Sequence, residues 1–178
     1  MKQFISCVFI IFFGLVLGLS PANSGGYDRG ARTHSKDFEK MKELVGDWQG
    51  KADMGKGPQT IKVTYELTSA GNAVIERLFV GLPHEMASVY YDFNGKLNMV
   101  HYCSLGNQPH MELMNPGEKN MLFVLSENNP NLVSVKEDHM HSLNISFEGR
   151  DSITRSWSRY EKGERQSDTV IKLTRIKL

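Results

Sequence analysis

Between residues 60 and 69 the side chains alternate. Ile61, Val63, Tyr65 and Leu67 fall on one side, and Thr60, Lys62, Thr64 and Glu66 on the other. A period of two marks a strand with one buried face, so the first set is expected to point inward. Comparable short runs cover 47–54, 73–81, 86–93, 97–105, 109–115, 121–127, 139–148, 153–161 and 168–177. Turn residues separate them, among them Gly71-Asn72, Asn94-Gly95, Pro116-Gly117, Asn129-Pro130 and Lys162-Gly163. Asn-Gly between two apolar runs is the signature of a type I′ hairpin. Short strands joined by hairpins predict an all-β fold, an up-and-down antiparallel barrel of about ten strands. Closing the sheet leaves no free edge for a second chain to pair with.

One stretch departs from this period. From Asp37 to Val45, Phe38, Met41, Leu44 and Val45 follow helical spacing, with Ser35 or Asp37 as cap and Gly46 as stop. This predicts one short N-terminal helix, a lid or plug on a single domain spanning 36–178. Upstream, Lys2 precedes an apolar run from Phe4 to Leu19, followed by Ser20, Pro21, Ala22, Asn23 and Ser24. That order is a cleavable secretion signal over 1–24, cut after Ser24. The run contains Gly14 and Gly18 and falls short of the ~20 apolar residues of a spanning helix. Residues 25–35 read as a flexible leader. The expectation is export, periplasmic or secreted, with no stable membrane insertion after cleavage.

Charge narrows the partners. Lys2 is the one charged residue of the signal, so the remainder holds 20 basic against 20 acidic residues. A neutral domain has no electrostatic pull toward nucleic acid or an anionic membrane. Cys103 is the sole cysteine left, so no internal disulfide can form and the core must hold the fold. The oligomeric state is not encoded in any pattern here.

The turns then assign faces. If Gly71-Asn72 is a two-residue turn, Leu67 opposes Glu76, and Glu76 points into the barrel. The Asn94-Gly95 turn pairs Phe93 with Lys96. It sets Tyr90 opposite Met99, Ser88 opposite His101 and Met86 opposite Cys103. This face carries the lone thiol and two Met, which favours it as the inner one over the face with Val89, Tyr91 and Val100. His139, His141, Leu143, Ile145 and Phe147 share a face, as do Ile153, Arg155, Trp157 and Arg159.

The inferred lumen therefore has an apolar lining with a few polar groups, the make-up of a small-molecule pocket. The candidate ligand-binding residues are Glu76, Tyr90, Met99, His101, Cys103, His141, Arg155, Trp157 and Arg159. An inward Arg suits a ligand carboxylate, unless it is neutralised by Glu76. The reading is an exported binder of a small, largely apolar ligand with a polar or acidic head. His139-x-His141 and Met99-x-His101-x-Cys103 also offer metal donors. A metal-assisted or acid–base enzyme is thus one alternative, and a filled barrel with a structural or interaction role is another. No G-x-S-x-G, H-E-x-x-H or phosphate loop occurs, which favours a binder over an enzyme. No motif identifies a cofactor, and no metal site is assigned.

Two segments carry a family resemblance. Gly46-Asp47-Trp48, at the head of the first strand, resembles the G-x-W signature of lipocalins. Pro83-His84-Glu85-Met86, then His101-Tyr102-Cys103 with Gly106-Asn107-Gln108-Pro109, is similar to a family of uncharacterised bacterial lipocalin-like barrel proteins over roughly 38–175. The resemblance implies a barrel of lipocalin or fatty-acid-binding-protein type and no activity. It also implies that Trp48 closes the barrel floor, with Arg175 on the last strand packed over it. The residues agree: Ile171, Leu173 and Arg175 share a face, and the last strand must meet the first.

Overall fold

Alternation and turn chemistry lead to a closed sheet. A computed structural model describes residues 33–177 except Met54 and Lys56; the signal (1–24) and the leader as far as 32 lie outside the described residues. The elements are α1 Lys36–Lys42, β1 Gly46–Asp53, β2 Pro58–Thr68, β3 Ala73–Leu78, β4 Met86–Phe93 and β5 Lys96–Tyr102. They continue with β6 His110–Asn115, β7 Asn120–Leu125, β8 His139–Phe147, β9 Ser152–Glu161, β10 Glu164–Arg165 and β11 Thr169–Arg175. From β1 to β9 each strand pairs antiparallel with the next, and β11 joins β9 to β1. Ten strands thus form a closed antiparallel barrel. The two-residue β10 only extends the pairing at the end of β9.

The Asn94-Gly95 hairpin forms as expected, with φ of 51° and 75° at its two central residues, the left-handed pair that a type I′ turn requires. Its register sets Tyr90 opposite Met99 and Ser88 opposite His101, and all four are buried. The β2–β3 turn differs from expectation. Thr68, not Ala70, pairs with Ala73, and Ser69 and Ala70 take left-handed φ in the longer loop. Tyr65 therefore opposes Glu76, and Leu67 opposes Val74. The register moves by an even number of residues, so Glu76 keeps its inward face. Leu67, at the barrel rim, is 46% exposed rather than core.

α1 plugs the end at which β1 begins and β11 finishes. Phe38, Met41 and Leu44 join the barrel core. The Ser35 hydroxyl caps the helix, accepting from Phe38 N at 3.0 Å, and is itself anchored by donating to Asp92 at 2.7 Å. Ser35→Ala is expected to cost about 1 kcal/mol, since it removes the cap and the hydroxyl's bond to Asp92 while the backbone N–H of residue 35 keeps its own bond to that carboxylate at 2.7 Å. Urea unfolding would measure it, and a loss under ~0.3 kcal/mol would show that the cap is dispensable.

The floor closes as expected. Trp48 is fully buried and donates from Nε1 to the Leu44 carbonyl at 2.8 Å. The Arg175 guanidinium lies 4.3 Å from the Trp48 ring centre. Its Nη1 and Nη2 donate to the Val45 and Glu43 carbonyls at 2.6 Å each. Glu43 is the C-cap of α1 and Val45 lies in the link to β1, so the guanidinium ties the helix end to the barrel seam.

Candidate functional site

With the floor plugged, the opposite end of the barrel is its mouth. A cavity of about 350 Å³ opens there, and its lining includes Leu78, Phe79, Met86, His101, Met140 and Trp157. Cys103, Arg159 and Ile171 also reach it. Its position follows from local chain geometry. β3 stops at Leu78, and Phe79 adopts a left-handed φ of 61° while 2% exposed. The turn that follows is tied by Glu85, which accepts from Gly81 N at 2.7 Å and from Arg77 Nε at 2.8 Å. Those bonds hold the Glu85 carboxyl below the usual carboxylate range. Across the mouth, Asn107 donates to Glu137 at 2.9 Å and to the Asp138 carbonyl at 2.8 Å. Segments 83–85 and 106–109 therefore build loops at the mouth, and Met86, at the head of β4, lines the cavity.

Beneath the cavity lies a buried polar cluster. Arg155 and Glu76 are both fully buried and form an ion pair, Nη1 to Oε1. Tyr90 donates to the other Glu76 oxygen at 2.7 Å. Burial and the adjacent Glu76 charge raise the Tyr90 pKa well above its ordinary value. Burial works against the Arg155 cation, but Glu76 with the Tyr65 and Tyr90 hydroxyls more than offsets it. Of the two sequence-level readings of Glu76 and the inward arginines, mutual neutralisation is therefore the one realised for Arg155. Arg159 stands higher, at the rim, and its guanidinium forks onto both oxygens of Asp138.

His101 sits between this cluster and the cavity. It is 1% exposed, with Nδ1 3.0 Å from Ser88 Oγ and its ring 4.6 Å from that of Trp157. Burial first, and then the Arg155 charge, pull its pKa down to about 3, so the imidazole is neutral at physiological pH. Of the residues lining the cavity, His101 Nε2 and Trp157 Nε1 are buried without a hydrogen-bond partner, and in the cluster below so are the Tyr65 hydroxyl and the Arg155 guanidinium nitrogens, whose contact with Glu76 is an ion pair. Each such orphan costs about 1–3 kcal/mol, so the two in the lining invite an occupant of the cavity. Cys103 Sγ approaches Met86 Sδ at 3.9 Å, and burial pushes the thiol pKa up. The thiol is thus protonated and turned toward sulfur, unlike an activated thiolate–imidazole pair.

The nine candidate residues fall in four places. His101, Cys103, Trp157 and Arg159 line the cavity. Glu76, Tyr90 and Arg155 form the cluster below, and Met99 is wholly buried on β5 opposite Met111. His141 lies elsewhere, which corrects the inward face assigned to it. A β-bulge falls between Met140 and Ser142, so the face of β8 switches there. Met140 turns to the cavity opposite Arg159, while His139 pairs with Tyr160 and His141 stacks on that ring at 3.9 Å. Met140 and Phe79 are cavity residues that strict alternation missed. The His139–His141 contact of 3.3 Å is a pair only. Among the described residues, no group of three His, Cys, Asp or Glu is placed to hold a metal ion.

A larger open hollow of about 860 Å³ lies at the floor, lined by residues such as Lys40, Glu43, Arg150 and Lys177. Its Arg175 is engaged in closing the barrel, and Lys177 pairs with Asp151 at 2.8 Å. Mixed, mutually paired charge makes it a weaker site than the mouth cavity.

No family model and no curated protein matches the chain. A solved structure of a protein of unknown function from the DUF3598 family, from Nostoc punctiforme, is similar in fold with a TM-score of 0.51 at 16% identity. The likeness covers 76% of this chain and 49% of that one, so the chain spans about half the length of that protein.

Proposed function

We propose that this chain is an exported carrier or sensor of a small, largely apolar molecule held in the mouth of its barrel. The observation that carries the reading is the 350 Å³ cavity, walled by Leu78, Phe79, Met86, Met140, Trp157 and Ile171, in whose lining His101 and Trp157 each keep one buried nitrogen without a hydrogen-bond partner. Its volume stands at the small end of ligand pockets, which start near ~300 Å³. Export rests on the signal pattern of residues 1–24. Kinship with lipocalin-like barrels is part of the same proposal, supported by Gly46-Asp47-Trp48 at the head of β1 and Arg175 across the indole.

Native mass spectrometry before and after organic extraction tests the reading. A releasable adduct is expected, or stabilisation by members of a small apolar library. Met140→Trp should fill the cavity, weakening binding by about tenfold or more while shifting stability by less than about 1 kcal/mol. A clean apo mass with no stabilisation by any library member would sink the proposal.

A further inference from the structure

We infer that the mouth cavity selects molecules whose head is an uncharged oxygen, a hydroxyl or a carbonyl, bound by His101 and Trp157. The inference rests on the cavity reading above and adds the class of ligand. Its first support is the pair of unpartnered atoms. An indole N–H can only donate, so Trp157 Nε1 asks for an acceptor. His101 Nε2 donates or accepts according to which way the hydrogen bond between Nδ1 and Ser88 runs, and Ser88 is compatible with both. A hydroxyl satisfies either tautomer together with the indole. A carbonyl satisfies the one in which Nε2 carries the proton.

The second support is the charge balance around the cavity. The cation below it, Arg155, is matched by Glu76 in the same buried cluster. The cation at its rim, Arg159, is matched by Asp138 in a two-pronged pair. His101 and Cys103 are both neutral at physiological pH. A carboxylate head would bring an unmatched negative charge into a site whose cations are already paired, and buried unpaired charge is strongly disfavoured. An ammonium head would face the indole donor and the Arg155 cation. The acidic head expected from sequence needs an arginine whose charge is unmatched, and here Glu76 matches Arg155 and Asp138 matches Arg159.

The test is a matched series on the full chain: decanol, the methyl ketone of the same length, decanoate and decylamine. Binding is read by calorimetry at neutral pH and by the change in intrinsic tryptophan fluorescence, to which Trp157 at the cavity and Trp48 at the floor both contribute. Decanol and the ketone should bind about tenfold or more tightly than either charged member. His101→Leu should lose about tenfold in decanol affinity, and His101→Gln, which keeps a hydrogen-bonding group, should retain most of it. Circular dichroism checks that each variant is folded, and the wild-type comparison stands without them. Decanoate binding as tightly as decanol, or His101→Leu binding decanol like wild type, would overturn the inference while leaving the cavity reading intact. If no member binds, the inference is overturned, and the cavity reading falls with it where the apolar library and the mass measurement also find no ligand.

Discussion

Arg155→Met is expected to lower the free energy of unfolding by about 3–5 kcal/mol, among the largest effects of any single substitution in this barrel. Arg155 and Glu76 are both fully buried, and the ion pair joins strands that are not neighbours in the ring, β9 and β3. Removing the guanidinium leaves a carboxylate in an interior whose remaining donor to it is Tyr90. Such a charge either stays at great cost or takes up a proton. Glu76→Gln leaves the converse problem, a buried guanidinium without its counter-ion, and should cost a similar amount. The double variant Glu76→Gln/Arg155→Met removes both charges and keeps an amide oxygen for the Tyr90 hydroxyl. It should therefore be clearly more stable than the sum of the two single losses implies. Urea unfolding of the four proteins measures this coupling. Strict additivity would show that the two groups do not neutralise each other in the folded chain. Because Arg155 lies below the cavity and not on its wall, a folded double variant should still bind an uncharged ligand.

How much of this was legible in the sequence depends on the reach of each signal. Strand positions were legible because the core imposes alternation locally, and the Asn94-Gly95 turn fixed the β4–β5 register from two residues. Glu76 was placed inward even though its turn was misjudged, because an even slip preserves the face. The bulge in β8 was not legible. A bulge is one extra residue with no composition of its own, yet it sent His141 to the outer face and Met140 to the cavity. Nor could alternation tell which charges would meet across the lumen. Arg155 found Glu76 and Arg159 found Asp138 through barrel closure and a mouth loop, both set by contacts distant in sequence. Phe79 was read as a strand residue, but its left-handed φ ends the strand and swings it to the cavity.

Trp48→Ala is expected to cost about 3–5 kcal/mol, the usual range for truncating a fully buried large aromatic. Trp48 stands opposite Arg175 in the β1–β11 seam, where the first and last strands meet. Its indole N–H holds the end of α1 through the Leu44 carbonyl, so truncation opens a cavity and also releases the plug. Arg175→Ala removes the stacked guanidinium, its contacts of 2.6 Å each to the Val45 and Glu43 carbonyls, and longer ones of 3.4 Å to the Arg150 carbonyl. Cation–π attraction at a partly shielded site is worth about 0.5–2 kcal/mol, and a hydrogen bond from a charged donor adds about 1–2 more. A loss of about 2–3 kcal/mol is therefore expected for Arg175→Ala. The double variant should lose less than the sum of the two, because Arg175 without Trp48 has no ring to lie across. Both singles should keep ligand affinity at the mouth within about twofold, since the floor and the cavity are at opposite ends of the barrel. Unfolding midpoints and decanol titrations on the same preparations separate the two effects. An Arg175→Ala variant as stable as wild type would refute its role in closing the floor. A variant that remained folded but lost the ligand would show that floor and mouth are coupled.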